Sequence, residues 1–99
     1  MPKEKANVMR IPAAHLRRLR NEIPIFELIQ THLDLPAKLQ EGYLRFLCPR
    51  CNDFHTATNP KTNLARCFRC STNFNPIDLV MTVKKYTFLE AVAFLVKFL

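Results

Sequence analysis

Glycine is the residue that this sequence most clearly lacks, since Gly42 is the only one among 99 residues. A phosphate-binding P-loop and a dinucleotide-binding G-x-G-x-x-G turn each need several glycines, so neither can be built. An Asp-x-Asp pair that could hold catalytic magnesium is also absent. With no nucleophile placed beside a base, these absences predict that the chain is not an enzyme when it acts alone.

Long apolar runs are missing as well. No stretch reaches the roughly 18 apolar residues of a membrane span, and no apolar run follows the charged residues 1–10 as it would in a signal peptide. We therefore expect a cytoplasmic protein with no membrane partner. In such a reducing compartment, paired cysteines are more often metal ligands than disulfides.

Acidic residues are few. Eight Asp and Glu stand against 15 Lys and Arg, which gives a formal net charge of +7. This balance favours a polyanionic partner, most often a nucleic acid. The plainer alternative is a solvated basic surface that keeps the protein soluble.

The four cysteines form two brackets, Cys48-Pro49-Arg50-Cys51 and Cys67-Phe68-Arg69-Cys70. A two-residue gap lets the chain turn and present both sulfurs to one metal, and a hairpin between the brackets can close the shell. The spacing is that of a zinc site, although four cysteines alone do not separate zinc from iron. The predicted ligands are Cys48, Cys51, Cys67 and Cys70.

A shell of four thiolates leaves no open position, whereas hydrolytic zinc keeps a water. We therefore expect one structural Zn²⁺ that does no chemistry of its own. His55 is a further ligand type near the brackets, but it fits better as a strand residue. Because a chain of this size has a small core, zinc would supply much of the folding free energy.

Apolar periodicity predicts an α+β fold, in which a small zinc-ribbon antiparallel sheet is flanked by N- and C-terminal helices. Residues 1–12 are expected to be a loose arm, and Asn75 and Thr87 are expected N-caps. We divide the chain into a basic arm with a short helix (1–22) and a zinc-binding domain (23–99). Helices are expected at 13–21, from 24 to about 33, from 76 to about 85 and at 88–99, and strands at 35–39, 43–47, 55–58 and 64–68.

Basic and aromatic residues are interleaved around the brackets. In single-strand recognition, arginines follow phosphates while aromatic rings stack on bases. Strand alternation places Tyr43 and Arg45 at the surface and Phe46 in the core. Phe54 fits either place, and Phe68 is expected in the core beneath the metal. The predicted nucleic-acid-binding residues are Tyr43, Arg45, Arg50, Phe54, Lys61, Arg66 and Arg69.

The predicted C-terminal helix is apolar on most sides, since only Glu90 and Lys97 are charged between Phe88 and Leu99. Such a helix is covered on most sides. The domain supplies one cover, and the other is a second copy, a partner protein or further sequence. One expected face holds Phe88, Leu89, Val92, Leu95, Val96 and Leu99, and a second holds Ala91, Phe94 and Phe98.

Several short motifs occur in the order found in one known family, and they cover roughly three quarters of the chain. The run 25–99 resembles the N-terminal zinc-binding domain of bacterial and phage DNA primases. The matching motifs are Ile25-Phe26-Glu27-Leu28-Ile29, Leu47-Cys48-Pro49, Thr58-Asn59-Pro60, Cys67-Phe68-x-Cys70, Pro76-Ile77-Asp78-Leu79-Val80 and Thr87-Phe88-x-Glu90-Ala91-Val92.

The resemblance implies a zinc ribbon flanked by helices that binds single-stranded template DNA and helps start primer synthesis. The polymerising chemistry of that family belongs to a separate toprim-type domain that this chain lacks. Two positions depart from the family pattern. Cys51 stands where histidine is usual, and Ser71 follows the last cysteine where a glycine-rich turn is usual.

The leading hypothesis is a non-catalytic module of DNA replication, for example of a mobile element, that binds single-stranded DNA. The alternative is a protein-interaction module that docks a primase, polymerase or helicase, or a second copy, through the helix Phe88–Leu99. Enzyme activity is expected only if the chain is part of a longer primase.

Overall fold

The computed structural model describes residues 11–99, so most of the expected arm lies outside the described residues. Within that range the fold is α+β, as the sequence predicts. Helix α1 and the short α2 precede the strands, and α3 and α4 follow them. The elements are α1 Ala13–Asn21, α2 Ile25–Glu27, a π-helical turn Leu28–His32, β1 Ala37–Gln40, β2 Tyr43–Phe46, β3 Thr56–Asn59, β4 Leu64–Cys67, β5 Thr72–Phe74, α3 Pro76–Lys84 and α4 Phe88–Val96.

The strands form two small antiparallel sheets, β1-β2 and β3-β4-β5. The side chain of Thr56 joins them. Its hydroxyl donates to the Phe46 carbonyl at 2.6 Å and accepts from the Phe46 N–H at 2.8 Å. The seam is fully buried at both residues, so the two sheets act as one ribbon.

Strand β5 was not expected from the sequence. Thr72 and Asn73 have the composition of a turn, yet they pair with β4 in the register Cys67 opposite Thr72 and Ala65 opposite Phe74. Phe74 is buried at the end of the strand. Pairing with a neighbouring strand and burial of one aromatic ring therefore outweigh local propensity here.

The helix expected from residue 24 to 33 is interrupted. Its second half is a π-helical turn, in which the Leu33 N–H bonds the Leu28 carbonyl at 2.8 Å. Leu28, Ile29 and Leu33 are buried as expected, but Phe26 is 46% exposed. A wider turn shifts the angular spacing of side chains, so 3.6-residue periodicity misplaces Phe26.

The core lies between the sheets and the helices. Leu19 of α1, Phe46 of β2, Leu79 of α3 and Leu95 of α4 are all fully buried. Both C-terminal helices begin with a capping box, Asn75 with Asp78 and Thr87 with Glu90, which confirms the expected N-caps.

The burial of α4 differs from the expected six-residue face. Ala91, Val92 and Leu95 are buried, whereas Phe88, Val96 and Leu99 are 39%, 42% and 42% exposed. The helix also ends at Val96 rather than Leu99. Beyond it, the Phe98 ring stacks on His32 with centroids 3.7 Å apart, which fixes the end of the chain against the π-helical turn.

No helix among residues 11–99 is both long and apolar enough to span a bilayer.

Candidate metal centre and nucleic-acid surface

Two strands deliver the cysteine brackets to one place. The first bracket follows β2, and Cys67 is the last residue of β4. The ligand sulfurs lie within 4.8 Å of one another. Cys48 Sγ is 3.7 Å from Cys70 Sγ, and Cys51 Sγ is 3.5 Å from Cys67 Sγ. Four sulfurs at such spacings can all reach one metal ion.

Backbone amides of the brackets point at the sulfurs. The Arg50 N–H donates to Cys48 Sγ at 3.4 Å, and the Cys70 N–H donates to Cys67 Sγ at 3.5 Å. Cys48 and Cys67 are fully buried, and Cys51 and Cys70 are half-buried. The amides therefore supply positive dipoles where a buried thiolate needs them.

The thiols differ in acidity. Burial raises the pKa of Cys48 to about 12 and also raises the pKa of Cys51. The side chain of Thr72 lowers the pKa of Cys70 to about 7. A metal ligand must be a thiolate, so metal binding has to release protons, and the affinity falls as the pH falls.

A donor set of four thiolates with no open position suits a structural zinc ion. The family model of the CHC2 zinc finger, the zinc ribbon of DnaG primase, matches residues 11–99. The chain belongs to this family. It matches no curated protein. Family and geometry together give one structural Zn²⁺ bound by Cys48, Cys51, Cys67 and Cys70, in a module that is non-catalytic in primases.

This CHC2 zinc finger carries Cys51 where the family has histidine. The sulfur of Cys51 reaches the same cluster as the other three, so a set of four donors is preserved. His55, the rival ligand in sequence, is outside the cluster, exposed, and directly precedes β3.

The residue after each bracket has a left-handed backbone, with φ of 58° at Asn52 and 52° at Ser71. Glycine adopts this conformation without strain, and asparagine tolerates it better than serine does. At the position where the family pattern has a glycine-rich turn, this chain therefore adopts a left-handed backbone with Ser71.

An open groove of about 490 Å³ crosses the ribbon on β2, β3, β4 and β5. We call it the ribbon groove. It brings together three of the predicted nucleic-acid-binding residues, Tyr43, Arg45 and Arg66. Phe68 and Asn73 also line it.

The two arginines of the ribbon groove are held in place. Arg45 Nη1 donates to the Thr56 carbonyl at 2.7 Å, and its Nη2 donates to the Glu41 carboxylate at 3.1 Å. Arg66 Nη1 donates to the Asn73 side chain at 3.1 Å, and its guanidinium lies 5.5 Å from the Phe68 ring centroid.

The expectation that Phe68 is a core residue was wrong, because it is 52% exposed. Along β4 the buried residues are Ala65 and Cys67, so alternation places Phe68 outward with Arg66. Phe46 is fully buried and Tyr43 is 52% exposed, as expected. If the alternation of β4 is continued through Cys67, it predicts that Phe68 faces outward.

The other predicted residues lie outside the ribbon groove. Arg50 is exposed and donates to Thr72 Oγ1 at 3.3 Å. Arg69 Nη1 lies 3.7 Å from Asp53 Oδ2. Phe54 is half-buried, and Lys38 Nζ lies 4.9 Å from the centroid of its ring. Lys61 is exposed and follows Pro60 in the turn after β3.

Proposed function

We propose that this CHC2 zinc finger binds single-stranded DNA through the ribbon groove and acts as a non-catalytic module in primer synthesis. The observation that carries the proposal is the composition of the groove. It places Arg45 and Arg66 among two exposed aromatic side chains, Tyr43 and Phe68. Guanidinium groups attract phosphates, and exposed rings offer stacking surfaces to bases.

Preorganisation supports this proposal. The bonds to Thr56 and Asn73 leave each guanidinium with further N–H groups that can donate to a phosphate. Since both arginines are already ordered, less side-chain entropy is lost when a strand binds. In this proposal zinc is a brace that aligns β2 with β4.

The family supports the setting that we propose. A primase zinc ribbon works with a polymerising domain and a helicase in cytoplasmic replication, and a replicating mobile element is one such setting. The positive net charge of +7 suits a polyanionic template.

Fluorescence anisotropy of the zinc-loaded protein with oligo(dT) and with a duplex, across a range of salt concentrations, tests the proposal. If about four phosphates are neutralised, the slope of log K against log salt is about −3 for a single strand. Arg66→Gln should weaken binding and make the slope shallower by about 0.7. Arg18→Gln, which removes the same charge from α1, is the control. Absence of binding at low salt would refute the proposal.

A second candidate function is docking of a replication protein or a second copy on α4. Phe88 and Val96 of α4 and Leu99, just beyond its end, are each about 40% exposed. Sedimentation of the wild type and a Val96→Ser variant, with a pull-down against primase, polymerase and helicase, tests this. A monomer that captures none of them would count against docking.

A further inference from the structure

A second groove lies beside the ribbon groove, between the π-helical turn and the β1-β2 hairpin. We call it the hairpin groove. It has a volume of about 450 Å³, and its lining includes Phe26, Gln30, Leu39, Tyr43, Thr58 and Pro60. We propose that it holds nucleobases of the same single strand whose phosphates lie on Arg45 and Arg66. This inference rests on the proposed function and extends the path of the strand.

The two grooves share two lining residues, Tyr43 and Thr58. In the proposed path, a strand that leaves the ribbon groove over Tyr43 therefore enters the hairpin groove. The exposed face of Tyr43 lies at this crossing, where a base can stack on it.

One groove is basic and the other is neutral, as one part of a nucleotide is anionic and another is neutral. The described lining of the hairpin groove contains no charged side chain, whereas the ribbon groove carries Arg45 and Arg66 and no acidic residue. A nucleotide joins a neutral ring to an anionic phosphate. The pair of grooves therefore matches one strand better than it matches an apolar peptide, which would leave Arg66 without a counter-charge, whereas Arg45 is already paired with Glu41.

The walls of the hairpin groove suit flat rings. Phe26, Leu39 and Tyr43 are 46%, 77% and 52% exposed, so three large side chains of this groove face solvent. Gln30 lines the groove with an amide that can both donate to and accept from a base edge. It belongs to the π-helical turn Leu28–His32, a geometry that is frequent at functional sites.

A double cycle of protein and DNA changes tests the proposal. The zinc-loaded wild type and a Phe26→Ala variant are titrated with dT8 and with dT8 bearing abasic sites in its 5′ or 3′ half. Phe26 is half exposed, so its truncation leaves the core intact. We expect Phe26→Ala to weaken binding of intact dT8 about fivefold or more. Abasic sites in one half of dT8 should weaken its binding to the wild type by a similar factor. The same abasic sites should cause no further loss of affinity in Phe26→Ala.

Met81→Ala is the control, because it truncates a half-buried apolar side chain on α3 that lines neither groove. Selective labelling with 15N-glycine gives a second readout. Gly42 is the only glycine in the sequence and lines the hairpin groove, so its single resonance should shift when dT8 binds. Abasic sites in the half that couples to Phe26 should reduce that shift.

Three results would overturn the proposal. Normal binding of dT8 by Phe26→Ala would exclude the hairpin groove from the strand's path. The same conclusion would follow if Phe26→Ala and the abasic sites each weakened binding by independent factors that multiply. The ribbon groove would still stand if Arg66→Gln weakens binding. A Phe26→Ala protein that binds DNA normally but loses a primase, polymerase or helicase would assign the groove to a protein. Failure of the wild type to bind any strand would instead refute the proposed function.

Discussion

The side chain of Asn63 holds the backbone of Ile25, although 38 positions separate them. Asn63 Oδ1 accepts from the Ile25 N–H at 2.8 Å. The Nδ2 of the same amide donates to the carbonyls of Arg20 and Ile23 at 2.7 Å each. The turn between β3 and β4 is thereby fixed to the junction between α1 and α2.

We expect Asn63→Ala to lower the free energy of unfolding by about 3 kcal/mol, since buried backbone groups lose their partners and alanine is strained at φ 56°. Asn63→Gly removes the same hydrogen bonds but accepts the backbone conformation. It should therefore cost about 1 kcal/mol less than alanine. Denaturant unfolding of the zinc-loaded proteins measures both. Equal stability of Asn63→Ala and the wild type would show that this link is not important.

Much of the fold could be predicted from the sequence because its signals are local. The brackets, the capping boxes at Asn75 and Thr87 and the strand alternation around Phe46 each depend on residues that are neighbours in the chain. The Asn63 link has no such signal, since its partners lie far away in sequence. The sequence predicts Asn63 only as a turn residue.

The site was predictable in part for the same reason. The spacing of the brackets gave the four cysteines, and alternation gave Tyr43 as a surface residue. The ribbon groove depends on which strands become neighbours. Its Asn73 lies on β5, which the sequence did not indicate. The hairpin groove depends on the π-helical turn, a local departure from α-helical geometry that a 3.6-residue periodicity does not encode.

Replacement of Cys51 tests the departure from the family ligand. Cys51→His restores the usual residue and should retain one zinc per chain, because imidazole nitrogen is also a good zinc ligand. Cys51→Ala should lose zinc and unfold the ribbon, as should chelation of the wild type. Elemental analysis and circular dichroism measure these outcomes. A folded, zinc-free Cys51→Ala protein would show that the metal does not support the fold.

The turns that follow the two brackets predict that substitution by glycine changes the free energy of unfolding by different amounts at Ser71 and Asn52. Ser71→Gly should raise the free energy of unfolding by about 0.5–1 kcal/mol, because serine is strained at φ 52°. Asn52→Gly, at φ 58°, should change it less, since asparagine tolerates the left-handed region. Thermal unfolding of both zinc-loaded variants compares them. A larger gain at Asn52 would contradict this explanation.

Under the proposed function, Glu41 would compete with phosphate for Arg45. Its carboxylate lies 3.1 Å from Arg45 Nη2, and its φ of 55° suits asparagine. Glu41→Asn should tighten binding of oligo(dT) by up to about fivefold, since an ion pair of this kind contributes about 0.2–1 kcal/mol. Glu22→Gln, which frees Arg18 on α1, changes the net charge equally. Equal tightening by both would mean that only net charge matters.

The seam between the sheets depends on the hydroxyl of Thr56. Thr56→Val keeps the shape but leaves the buried N–H and carbonyl of Phe46 without their partner, so we expect a loss of about 2–3 kcal/mol. Thr56→Ser keeps the hydroxyl and loses one methyl group, which should cost about 1 kcal/mol. Denaturant unfolding of the zinc-loaded variants ranks them. Because Arg45 bonds the Thr56 carbonyl, the folded Thr56→Ser protein should also bind oligo(dT) like the wild type. A valine variant that is more stable than the serine variant would show that packing, and not the hydrogen-bonded hydroxyl, joins the two sheets.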